Sequence, residues 1–116
     1  MQPGLLDQAA LDSLLATTDR EFVGELIDAY LEDSPGLVAG MKEALATGNA
    51  TEFTRAAHSL KSSSASLGAL SLSALAKDLE LMGKQANLSG AASKLEQLAR
   101  HFEQVQKALE EFKRGS

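Results

Sequence analysis

Between Phe22 and Leu45 apolar side chains return every three or four residues, and that rhythm survives a proline in its middle. The set is Phe22, Val23, Leu26, Ile27, Tyr30, Leu31, Leu37, Val38, Met41 and Leu45. At about 100° per residue these positions form one stripe. Pro35 removes a backbone donor and crowds the carbonyl of Leu31, which ordinarily breaks a helix. The stripe nevertheless keeps its phase across Pro35, and the proline itself points away from it. One long kinked helix over about 19–47 is therefore expected, with Thr18 and Glu21 in capping-box spacing at its start.

The same reasoning extends along the chain. Asn49 and Glu52 repeat the capping-box spacing, and a helix should follow to about 67, where Gly68 ends or bends it. A helix over about 70–86 would bury Leu72, Leu75, Ala76, Leu79 and Met82. Another over about 90–113 would bury Leu95, Leu98, Ala99, Phe102, Val105, Leu109 and Phe112. A short helix at about 7–16, capped by Asp7, would turn Leu11, Leu14 and Leu15 inward. The turns between these segments are short, so consecutive helices should lie antiparallel. The expected fold is all-α: an antiparallel up-down four-helix bundle with a short extra N-terminal helix, in one domain spanning residues 1–116.

Composition narrows the function. Apolar residues make up 44% of the chain with only 1 Tyr and 4 Phe, so the core is built from Leu, Ala, Val and Met. Cysteine is absent, which removes disulfides, thiolate metal sites and cysteine nucleophiles together. That fits a reducing compartment, and a cytoplasmic location is expected. The stretch MQPGLLDQAALDS has no basic region followed by a long apolar run, so no signal peptide is read there. No segment approaches the apolar length of a membrane span. The net charge of −5 disfavours nucleic acid as a partner.

One residue stands apart from the helical stripes. On the helix after Asn49, Phe53, Ala57, Leu60, Ser64 and Leu67 fall on one side, while His58 falls about 140° from Phe53. Its neighbours on that outer side are Thr54, Arg55, Lys61, Ser62 and Ala65. Residues 53–77 contain no Asp or Glu and carry Arg55, Lys61 and Lys77, so the window is +3 and the rest of the chain −8. An acid-free surface around one exposed histidine, on an otherwise acidic protein, suits an anionic partner or group. A neutral ring nitrogen is a nucleophile. Ser, Ala and Gly around it leave little standing proud of the helix, so another protein could approach the imidazole closely. On geometry alone, a solvated surface histidine and a close helix contact through the small residues remain open.

The stretch Ala57-His58-Ser59-Leu60-Lys61-Ser62-Ser63-Ser64-Ala65-Ser66-Leu67-Gly68 resembles the signature of histidine-containing phosphotransfer domains, the Hpt family of bacterial phosphorelays. That signature has a phosphoacceptor histidine, a leucine two residues on, a lysine three on and a glycine ten on, matched by His58, Leu60, Lys61 and Gly68. The likeness extends over nearly the whole chain, including the proline-bearing second helix, the Gly-Asn turn before the histidine helix and the Leu79-Glu80 pair after it. It departs at Ser62, where many members have glycine, which bears on partner preference.

The resemblance implies a phosphocarrier without kinase activity of its own. His58 would accept a phosphoryl group through Nε2 from a receiver-domain aspartate, or return it. Lys61 would stabilise the phosphoryl charge, a contact worth roughly 3 kcal/mol at about 6 Å and an effective dielectric near 20, less when exposed. Arg55, Ser62 and Ala65 would belong to the docking surface, and Gly68 would be structural, allowing the next helix to approach. The implied partners are receiver domains of hybrid sensor kinases and of response regulators. They would bring the Mg²⁺, and no cofactor is expected on this chain.

Rival readings use the same bundle. A docking module that carries no phosphate would not need Lys61 in register with His58. The phosphoacceptor and dimerisation part of a sensor kinase normally follows its histidine with Glu or Asp and then proline, whereas Ser59 and Leu60 follow here. Such a module also closes its bundle as a dimer, whereas this chain has helices enough for a monomer, and a monomer is expected. No Gly-rich phosphate loop occurs, and the chain is too short to hold a kinase catalytic domain as well. The initial Met and compact ends suit a freestanding carrier, and the excised end of a hybrid kinase remains open. His101 lies on the flank of the last stripe and reads as structural. His58 and His101 sit on different helices at unrelated angles, so a metal site is not expected.

Overall fold

Among the described residues, the computed structural model has four helices: α1 (Arg20–Thr47), α2 (Ala50–Ser66), α3 (Leu70–Lys84) and α4 (Ala91–Arg114). It describes Ala16 and residues 19–114. Apart from Ala16, the short helix expected at about 7–16 lies outside the described residues, as does Thr18. Each helix packs on the next and α4 returns to α1, so the described part is an up-down four-helix bundle. The antiparallel run is tied at several points. Arg20, at the start of α1, donates to the carbonyl of Phe112 near the end of α4 at 2.8 Å and stacks over its ring. Lys94 of α4 meets Asp78 of α3 at 3.2 Å. No helix among the described residues is long and apolar enough to cross a membrane.

Helix α1 runs unbroken through Pro35, which is exposed, as the continuous stripe requires. Its cap is Asp19, whose carboxylate accepts the amide of Phe22 at 2.7 Å. The acid supplies both an acceptor and a charge suited to the helix dipole. The buried positions are Val23, Ile27, Tyr30, Ser34, Val38, Met41 and Ala44. Phe22, expected inside, is 46% exposed. The true centre of the stripe passes through Ser34 and Ala44, and Phe22 stands at its edge. Leu26, Leu31, Leu37 and Leu45 flank the core half-buried.

Three helix ends close in the same way. After α1, the amide of Gly48 bonds Leu45 and that of Asn49 bonds Ala44; after α2, Gly68 bonds Ala65 and Ala69 bonds Ser64. After α3, Ala86 bonds Gly83 and Asn87 bonds Met82. This motif places its first residue in left-handed backbone, and φ is 72° at Gly48, 79° at Gly68 and 52° at Ala86. Gly68 is thus favoured by its own backbone conformation, in addition to any room it leaves for α3. Asn49 ends one helix and caps the next, its side chain accepting the amide of Glu52 at 3.1 Å.

The core joins Phe53, Ala57 and Leu60 of α2 to Leu72, Ala76 and Leu79 of α3 and to Leu95, Leu98, Phe102, Val105 and Leu109 of α4. Leu75 and Met82 of α3, and Ala99 and Phe112 of α4, line its edge half-buried. Two polar features enter it. Tyr30 and Ser64 share a hydrogen bond of 2.8 Å across the α1–α2 seam. Glu80 is buried on α3.

Candidate functional site

The α2 stripe of Phe53, Ala57, Leu60 and Ser64 is buried, which turns His58 outward with its side chain 58% exposed. Arg55, Ser62 and Ala65 are exposed on the same flank, and Thr54 and Lys61 half-buried. The small residues are also explained locally. Ser63 and Ser66 return their hydroxyls to the carbonyls of Ser59 and Ser62, a turn back along the helix, while Ser64 faces Tyr30.

The surroundings of His58 are not free of acid. Glu80 of α3 places Oε2 at 2.8 Å from His58 Nδ1. Its other oxygen, Oε1, accepts from Lys61 Nζ at 2.8 Å, and Lys84 Nζ lies 3.4 Å from Oε2. The +3 window ends at residue 77, and the turn at 67–69 brings the next acid but one, Glu80, back beside the histidine. Lys61, expected at the phosphoryl oxygens, here holds Glu80. Its carbonyl is also anchored by the hydroxyl of Ser73 at 2.8 Å. Arg55 pairs with Glu52 one turn away on α2.

Glu80 reaches this position because α3 packs closely on α2 at Gly83. Gly83 makes that approach possible: a Cβ there would overlap the Thr54 hydroxyl and sit 3.2 Å from Phe53 Cδ2. Lys61 beside Glu80 holds its carboxyl at about 2, against the upward push of burial and with further help from His58 and Lys84. At any ordinary pH Glu80 is therefore ionised and only accepts hydrogen bonds. Nδ1 must then be the protonated nitrogen, and in the neutral ring the lone pair lies on Nε2. A buried carboxylate thus selects the tautomer and holds the ring, while leaving the other nitrogen uncommitted.

His58 lines one of two grooves that meet at Ser59. On the α3 side, Thr51, Thr54, Arg55, Glu80, Lys84 and Ala86 line a polar groove. On the α1 side, Leu26, Ala29, Leu37 and Leu67 form a more apolar one, rimmed by Asp33 and the serines of α2. His101 lies half-buried on α4, its Nε2 enclosed without a hydrogen-bond partner. Burial pushes its pKa down. Among the described residues no three His, Asp or Glu side chains converge as a metal-ligand set.

The Hpt domain family model matches residues 25–112, most of the chain and all of this constellation. The chain belongs to the Hpt domain family. Hpt domains are phosphotransfer modules of phosphorelays, in general phosphocarriers rather than enzymes. The fold agrees: the crystal structure of histidine-containing phosphotransfer protein B from Pseudomonas aeruginosa PAO1 superposes with a TM-score of 0.92 at 28% identity, over 99% of both chains. No functionally curated protein matches at a significant level. In this Hpt domain, sequence reasoning found His58 and Lys61 together but noted Glu80 only as half of a family pair. It did not find Lys84 or Gly83.

Proposed function

We propose that His58 is the phosphoacceptor of this Hpt domain and that Nε2 carries the phosphoryl group. The observation that supports this most is the exposed imidazole whose Nδ1 is committed to Glu80 at 2.8 Å. The Nε2 lone pair attacks the phosphorus of an aspartyl phosphate in line, the N–P bond forms, and the P–O bond to the aspartate breaks with its electrons. Nδ1 keeps its proton, so the ring gains positive charge opposite the anionic Glu80. No proton need move in the transfer step. The rest is positioning and charge, as in phosphoryl transfer generally. Discharge to a second aspartate is the reverse.

The partners on this reading are receiver domains of hybrid sensor kinases and response regulators, which bring the acidic pocket and Mg²⁺; the chain itself contributes no cofactor. Lys61 is the charge partner of the phosphoryl group. Arg55, Ser62 and Ala65 take part in docking, together with the apolar groove against α1. The chain acts as a single-domain, monomeric, cytoplasmic carrier with no kinase activity of its own. A docking module without phosphate would have no use for a fixed tautomer.

The test mixes the protein with phosphorylated receiver domains and compares it with His58→Gln. Acid-labile label should appear on the wild type and be missing from the variant. Transfer that survives the substitution discards the assignment. Lys61→Ala should slow transfer while the bundle stays folded.

A further inference from the structure

Resting on His58 as phosphoacceptor, the geometry around Glu80 raises a conflict that a third residue resolves. Lys61 is needed by the phosphoryl group, yet its ammonium is engaged by Glu80 Oε1 at 2.8 Å. A phosphoryl dianion on Nε2 competes for that ammonium. Releasing it takes Lys61 from a carboxylate whose side chain is only 5% exposed, and leaves the ring at Oε2 and the more distant Lys84 as its only positive partners, with Oε1 bare. An uncompensated buried charge is strongly destabilising.

Lys84 is placed to prevent this. It lies one turn beyond Glu80 on the same helix, with Nζ 3.4 Å from Oε2 and its side chain 60% exposed. That separation is longer than a good charge-assisted hydrogen bond, so Lys84 has both room and freedom to close. It also lines the polar groove beside His58, which Lys61 does not.

We propose that Lys84 is a positioning residue that acts through Glu80: as Lys61 moves to the phosphoryl group, Lys84 closes onto the carboxylate and takes over its charge. Lys84 makes and breaks no covalent bond. It lowers the cost of freeing Lys61, and with it the cost of holding a phosphoryl group on His58. The i,i+4 spacing from Glu80 to Lys84 is the favourable orientation for such a pair.

The experiment labels the full chain with phosphoramidate, whose phosphoryl group passes to the imidazole as ammonia leaves. Formation and loss of the phosphohistidine are followed by phosphorus NMR in wild type, Lys84→Gln, Glu80→Gln and the double variant. Lys84→Gln should label about threefold more slowly, the scale of a single exposed ion pair, with an unchanged melting temperature. Lys84→Arg should restore the rate. In the Glu80→Gln background, Lys84→Gln should add nothing, because no carboxylate charge remains to take over. An equal effect in both backgrounds would mean that Lys84 acts directly on the phosphoryl group, and would overturn the hand-off while leaving His58 in place. Full-rate labelling of Lys84→Gln would also overturn it. Label found on a residue other than His58 would overturn the phosphoacceptor assignment and the hand-off together.

Discussion

Gly83 of α3 lies so close to Thr54 of α2 that a methyl group at residue 83 would overlap the threonine hydroxyl. The Thr54 side chain cannot easily retreat, since its hydroxyl donates to the carbonyl of Ala50 at 2.7 Å and Phe53 is packed beside it in the core. The absence of one side chain on α3 therefore sets the separation of two helices, and that separation sets where Glu80 meets His58.

Gly83→Ala tests this link. Forcing a methyl group into a packed seam costs about 2 kcal/mol, offset in part by the better helix propensity of alanine. The midpoint of urea unfolding should fall accordingly. Phosphohistidine formation should slow beyond what the lost stability explains, because α3 must move away and carry Glu80 with it. Adding Thr54→Ala removes the clashing hydroxyl and should recover part of both losses. A Gly83→Ala protein with unaltered stability and labelling would disprove the link.

The carboxyl of Glu80 gives a pH dependence with a definite sign. Its pKa is about 2 in the folded protein against an ordinary value of 4.5. The unfolded chain therefore takes up a proton before the folded one does. The stabilisation is fully present above about pH 4.5 and is lost as the pH falls from there towards 2. Its size is of the order of 2 kcal/mol, after allowing for the cost of burying the ions. Stability measured by chemical unfolding from pH 6 to pH 2 should decline in wild type. In Glu80→Gln it should start lower and decline less over that window. Parallel curves for the two proteins would rule out Glu80 as the titrating group.

How far the sequence carries the reader can be judged from these same residues. Helix α1 was legible through Pro35 because the apolar phase is a long-range signal that one missing donor does not erase. Asn49 and His58 were legible because a cap and an outward angle are both local properties of one helix. Glu80 was not. Its position depends on the turn at 67–69 and on the closeness of α2 to α3, neither of which appears in a charge count along the chain. A faint signal existed: Glu80 follows Ala76 by four residues and precedes Gly83 by three, both buried, so an acid sat on an inward flank. Phe22 was misplaced for a related reason, since periodicity gives a stripe its direction but not the edge at which the neighbouring helices stop covering it.

Ala86 carries the third left-handed helix end without a glycine, at φ 52°. Left-handed backbone costs an alanine about 1 kcal/mol, while glycine adopts it freely but loses more entropy on folding. Ala86→Gly should therefore stabilise the protein by about 0.5 kcal/mol net, read as a higher urea midpoint at unchanged slope. Gly48→Ala and Gly68→Ala, the reverse change at equivalent positions, should each destabilise. A loss of stability in Ala86→Gly would mean that the turn after α3 has no strain to relieve.

Tyr30 and Ser64 exchange a hydrogen bond of 2.8 Å inside the α1–α2 seam, and Ser34 adds a second hydroxyl to the tyrosine. Burial raises the pKa of the phenol, and both serines oppose that rise, so the three groups form one small polar network in an otherwise apolar interior. Its members satisfy one another, and removing one leaves the others desolvated without a partner. Tyr30→Phe should cost about 1 kcal/mol, and Ser64→Ala a similar amount for the opposite half of the same bond. The double variant should cost less than the sum, since neither half of the Tyr30–Ser64 bond is then stranded and only Ser34 has lost its partner. Labelling of His58 should be unaffected in all three, because the network lies on the buried face of α2 and the imidazole on the exposed one. Additive losses would show that the two hydroxyls find other partners, and slower labelling would show that the seam positions His58 from beneath.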